Sequence, residues 1–137
     1  MASLQATTLP SISISGDCLP TSINWQSSSN WTYANSWVDY TDASYAPPRY
    51  CKFKDWVYIE GLVKGGTTTA SNTIATLPTG YRMTSAGSGN TTGTIFTNWH
   101  SSGMFEMRVY TSGALQINGT LGSNTWLSVY CSYYAGP

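Results

Sequence analysis

The side chains able to do chemistry are few and scattered. One histidine, His100, lies in the turn-like run NWHSSG with serines beside it. A Ser-His-Asp arrangement would need a carboxylate to orient that imidazole and donors for an oxyanion, and no Gly-x-Ser-x-Gly elbow supplies a nucleophile. His100 therefore reads as a loop residue at a surface or an interface. The acidic residues are Asp17, Asp39, Asp42, Asp55, Glu60 and Glu106. Glycoside hydrolysis needs two carboxylates about 5–10 Å apart across a sugar-sized cleft. The one close pair, Asp39 and Asp42, looks instead like turn formers. Asp55 is expected to hydrogen-bond its own backbone at the turn after Lys54. Glu60 sits in an apolar strand face, so it should lie at an interface or pair with an arginine, with Arg108 one candidate.

Cys18, Cys51 and Cys131 match neither the paired spacing of a zinc site nor a Cys-x-x-Cys redox motif. Three is an odd number, so at least one thiol is unpaired within the chain, and all three read as small buried apolar residues. Arg49, Lys52 and Lys54 form a small basic cluster, too small for nucleic acid, whose binding rests on many phosphate contacts. They read as a solvated strand edge that discourages sheet-to-sheet aggregation. Charged residues are 9% of the chain and cancel to zero net charge, which gives no basic stripe for nucleic acid. No catalytic, metal-binding or cofactor-binding set emerges, and the chain is expected not to be an enzyme.

The elements that must position these residues are strands. A period of two dominates and turn residues recur at short intervals, which predicts an all-β, antiparallel two-sheet sandwich of jelly-roll type. Strands are expected at about 36–40, 49–54, 56–64, 73–77, 93–99, 104–110, 114–118 and 125–134, eight in all. Residues 1–24 are polar, hold Pro10 and Pro20, and alternate briefly at Ile12 and Ile14, so they read as an extended arm before a domain spanning 25–137. The run NWQSSSNWTYANS at 24–36 reads as a surface loop carrying Trp25, Trp31 and Tyr33. The arm lacks the basic start and apolar core of a signal peptide, and no apolar run reaches the roughly 20 residues of a membrane helix. No membrane partner is expected.

Aromatic residues are 14% of the chain, with six Trp and ten Tyr against three Phe. Trp and Tyr carry a polar handle and favour half-wet surfaces. Alternation puts Trp56, Tyr58, Glu60 and Leu62 on one side of their strand and Val57, Ile59, Gly61 and Val63 on the other. In the last strand Leu127, Val129, Cys131 and Tyr133 oppose Trp126, Ser128, Tyr130, Ser132 and Tyr134. Neither strand has a polar face for solvent. Contiguous aromatic patches are rarely left open on monomers, so Trp56, Tyr58, Trp126 and Tyr130 are candidate subunit-interface residues.

Leu77-Pro78-Thr79-Gly80-Tyr81 reads as a structural turn. Pro78 fixes φ, Gly80 permits a positive φ at the positions a type II turn uses, and Leu77 and Tyr81 can plug the end of the sandwich.

The stretch from Asp55 to Met83 resembles the tip domains of bacteriophage tail fibres and related virion surface proteins. Lys54, Asp55, Val57, Gly61, Ile74, Leu77, Pro78, Gly80, Tyr81 and Arg82 fall on the family's pattern, with Met83 where the family usually has Pro. The likeness continues through Phe105 to Gln116, a hairpin with Gly113 at its turn, and into TWLSVYCSYY from Thr125 to Tyr134, covering roughly 36–136. It implies a three-fold assembly and a place on a virion put together in the host cytoplasm. With only about two dozen residues before the domain, the chain is expected to be a capsid decoration (cement) protein. The arm would anchor it to the major capsid protein by adding a strand through Ile12 and Ile14. The alternative is a receptor-binding tip whose Trp and Tyr stack on host-surface glycans.

Overall fold

Each strand must pair its backbone N–H and C=O groups, and here the pairing resolves into two antiparallel sheets. The computed structural model describes residues 23–84 and 93–137. The expected anchoring residues Ile12 and Ile14, together with Cys18, lie outside the described residues.

Twelve strands run through the described residues: β1 (Gln26–Ser27), β2 (Thr32–Tyr33), β3 (Val38–Asp39), β4 (Arg49–Phe53), β5 (Trp56–Glu60), β6 (Leu62–Lys64), β7 (Thr73–Thr76), β8 (Gly93–His100), β9 (Gly103–Tyr110), β10 (Ala114–Asn118), β11 (Leu127–Ser128) and β12 (Cys131–Tyr134). One sheet has the order β1-β4-β5-β12 and the other β2-β7-β10-β9-β8-β11-β6-β3. Between them lies the core: Val57, Ile59, Val63, Ile74, Leu77, Met107, Val109, Leu115, Ile117, Leu127 and Val129 are all buried. The all-β two-sheet architecture is the one the alternating pattern predicts.

The eight predicted runs become ten strands because two of them change sheet midway. The run from Trp56 to Lys64 breaks at Gly61, so that β5 belongs to the four-stranded sheet and β6 to the eight-stranded one. Such corners need a local bend. Gly61 provides it with φ +129°, and a Cβ there would lie 2.4 Å from the Cα of Pro48. The last run crosses in the opposite sense, from β11 to β12. The two crossings are joined where the Val129 N–H donates to the Gly61 carbonyl at 3.0 Å.

The remaining two strands come from the region expected to be a surface loop. There β1 pairs with β4, a single 3-10 turn spans Ser28–Asn30, and β2 pairs with β7. Trp31 is core rather than surface: it is 6% exposed, and its ring centroid lies 5.9 Å from Tyr50 and 5.9 Å from Tyr33. Asp39, expected to form a turn, instead accepts hydrogen bonds from the Ser28 hydroxyl at 2.8 Å and from the Tyr33 hydroxyl. These bonds tie β3 to the start of the domain.

The Leu77–Tyr81 segment is a turn, as expected, but shifted by one residue. The Tyr81 N–H donates to the Pro78 carbonyl at 3.2 Å, so the central residues are Thr79 and Gly80. Gly80 has φ +96°, the positive value a type II turn requires at its second central position. Leu77 is fully buried and its N–H donates to Gly113 at 3.0 Å, which locks the turn onto the β9–β10 hairpin. Tyr81 stands edge-on to Tyr50 at 4.7 Å, and its carbonyl accepts the Tyr133 hydroxyl at 2.7 Å. Both ends of the motif thus close the core.

Candidate functional site

The outer face of the four-stranded sheet is built by strand register. Arg49 lies opposite Glu60, Tyr58 lies between Cys51 and Ser132, and Trp56 lies between Phe53 and Tyr134. Residues that pair directly share a face, so these rows form one surface. Trp56 is 47% exposed and Tyr58 41%. Trp56 packs edge-to-face with Tyr134 at 6.2 Å. Arg49 and Glu60 supply the charge on this face. The Arg49 Nε donates to the Glu60 carboxylate at 2.7 Å, while its guanidinium lies 4.5 Å from the Trp25 ring centroid. Arg49, directly opposite in register, is thus the partner of Glu60, and Arg108 is not.

Among the described residues, three cavities run from this face round the Gly61 corner to the outer side of the eight-stranded sheet. The largest of these, about 640 Å³, is lined by Trp25, Cys51, Phe53, Tyr58, Phe96 and Tyr130 among others. A second, about 320 Å³, lies between Trp56 and Tyr134 on one side and Met83 and Phe96 on the other. A third, also about 320 Å³, is lined by Tyr40, Tyr45, Leu62, Trp126 and Tyr130. Phe96 and Ser132 border both the first and second, and Tyr130 borders both the first and third, so the three make one aromatic groove.

The four residues predicted from alternation all line this groove, but at different places. Tyr58 and Trp56 belong to the sheet face, whereas Trp126 and Tyr130 line the third cavity. Sequence reasoning did not single out Tyr40 and Tyr45 for this wall. Their signal is a turn between two tyrosines: the Asp42 carboxylate accepts the Ser44 N–H at 2.8 Å, and the Tyr45 N–H reaches the Asp42 carbonyl at 3.3 Å. That turn brings Tyr45 back to within 6.1 Å of Tyr40, T-shaped. Pro47 and Pro48 follow it and stiffen the return to β4.

The groups that could have done acid–base or thiol chemistry are placed elsewhere. His100 ends β8 and is 8% exposed, not in a surface loop, because the strand runs past the expected turn. Its Nδ1 accepts the Ser102 N–H at 3.3 Å and its ring lies edge-on to Phe105. Asp55 holds the final segment through its carbonyl, which accepts the Ala135 N–H at 2.7 Å; no side-chain bond to its own turn accompanies this among the described residues. Cys51 and Cys131 are free thiols on opposite faces of the four-stranded sheet. Burial raises the pKa of both, so neither is a ready nucleophile. Among the described residues, no group of three His, Cys, Asp or Glu is placed to hold a metal ion.

No family model and no curated protein matches the chain. Among solved structures, the receptor binding protein gp15 of Listeria phage PSA is similar in fold, with a TM-score of 0.55 at 20% sequence identity. The match covers 82% of this chain and 66% of that one, a little under two thirds of the other protein's length.

Proposed function

We propose that this chain is a virion surface protein of a bacteriophage and that its sandwich is a receptor-binding tip, which binds a host-surface glycan without cleaving it. The observation that carries the reading is the fold it shares with a phage receptor binding protein over 82% of its own length. The cavity walled by Tyr40, Tyr45, Trp126 and Tyr130, away from Trp56 and Tyr58, supports it, because exposed Trp and Tyr give a large contact area with polar tips and few rotatable bonds. The chain is expected to act as a homotrimer, with the Trp56 and Tyr58 face covered by a neighbouring copy.

Capsid decoration is the second reading, favoured by the polar composition of residues 1–24. The fold likeness supports the tip over the shell. Immunogold labelling of virions that carry this protein separates them. Gold at the end of the tail, a few tens of copies or fewer, is the expected result. Gold spread over the heads in hundreds of copies would replace the receptor-binding reading with the cement one.

A further inference from the structure

The cavity walled by Tyr40, Tyr45, Leu62, Trp126 and Tyr130 differs in kind from the rest of the groove. By alternation Leu62 faces away from the core, so the site opens on the outer side of the eight-stranded sheet, beside the crossing from β11 to β12. Four of its five walls are Tyr or Trp. None of the Tyr40, Tyr45 or Tyr130 hydroxyls, nor the Trp126 indole N–H, is used in a hydrogen bond among the described residues. Tyr45 and Tyr130 are 58% and 53% exposed. By contrast, the hydroxyls of half-buried Tyr33 and buried Tyr133 are both bonded within the protein.

We infer that this cavity is a subsite for an uncharged pyranose ring of the receptor glycan. The inference rests on the receptor-binding reading and names where, and for what class of sugar, that reading is realised. A pyranose offers a face of C–H groups and a rim of hydroxyls. Flat aromatic walls match the face, and phenol and indole tips with unspent donors match the rim. No carboxylate, lysine or arginine lines the cavity. Lys64 is not among the lining residues; its Nζ lies 5.4 Å from the Tyr40 ring centroid, over the ring face. An anionic sugar or a phosphate would find no counter-charge inside. A volume of about 320 Å³ is at the lower end for ligand pockets and suits one or two rings.

The test is saturation-transfer difference NMR on the full chain. The probes are methyl glycosides of glucose, galactose, rhamnose and N-acetylglucosamine, with glucuronic acid, inorganic phosphate and a proline-rich peptide as contrasts. At least one neutral glycoside should show transfer to its ring C–H protons, and Tyr45→Ala should abolish it. Tyr45 lies in an exposed loop, so that variant should keep the wild-type melting temperature; Trp99→Ala, on an exposed part of β8 outside the cavity, should leave transfer unchanged. Binding of a neutral glycoside that survives both Tyr45→Ala and Tyr130→Ala would overturn the subsite while leaving receptor binding intact. Binding only of the charged probes, or of the peptide, would overturn the neutral-sugar assignment. Wild-type protein that takes up no glycoside and adheres to no host cell would remove the receptor-binding reading together with the subsite.

Discussion

Two residues show how much of the structure hangs on single backbone and side-chain states. Gly80 has a positive φ with nothing within 4 Å of the site a Cβ would occupy, so its requirement is conformational rather than steric. Gly80→Val should lower stability by more than about 1 kcal/mol, since β-branched residues resist that region; a urea midpoint equal to wild type would reject this. Tyr33 is held neutral first by burial and then by the Asp39 carboxylate, which accepts a hydrogen bond from its hydroxyl and whose negative charge opposes ionisation; together these push its pKa up. Burial does the same to Tyr133 and Cys131. The sign follows from linkage: these groups ionise more readily in the unfolded chain, so their stabilising effect is whole below about pH 8.5 and is lost as pH climbs past about 8.5–10. Melting temperature should fall steadily above pH 9, and Tyr33→Phe should flatten that slope. A slope unchanged by Tyr33→Phe would mean that the phenol is not held as described. The Gly80 turn was legible because Pro and Gly have strong local meaning. The Tyr33–Asp39 pair was not, because two residues in separate strands meet only through packing.

At the scale of elements, alternation located strands well and faces very well. Val57, Ile59 and Val63, the aliphatic side of the Trp56–Lys64 run, are buried, and Trp56 and Tyr58 on its other side are exposed. Period alone cannot tell a straight strand from one that turns a corner, because a corner keeps the alternation intact. Gly61 was the visible clue, and its φ of +129° together with the 2.4 Å approach to Pro48 gives the reason. Gly61→Ala should therefore cost about 2 kcal/mol or more, through backbone strain and collision with the main chain. Denaturant unfolding checks it, and a loss under about 0.5 kcal/mol would show the corner to be adaptable. The 24–36 segment was misjudged for a different reason. Its Ser and Asn residues do make the turns they favour, but Trp31 reaches past them into the core against Tyr50. Tertiary burial overrode local polarity there. Tyr40 and Tyr45 were likewise hidden in a segment that reads only as a turn.

For the whole molecule, two features ask for a partner. The exposed outer face of the four-stranded sheet, with Trp56 and Tyr58, leads us to expect a homotrimer by light scattering, and Trp56→Ala should weaken it by a few kcal/mol if that ring is a buried anchor. A wild-type monomer at micromolar concentration would contradict this. The groove beyond it carries the functional claim. Adsorption competition tests that claim most directly: host cells are first saturated with purified protein and then challenged with virions carrying it. The account predicts that adsorption slows in proportion to the protein bound and that Tyr45→Ala competes poorly. Adsorption that runs at its normal rate under saturating wild-type protein, with no protein retained on the cells, would contradict it.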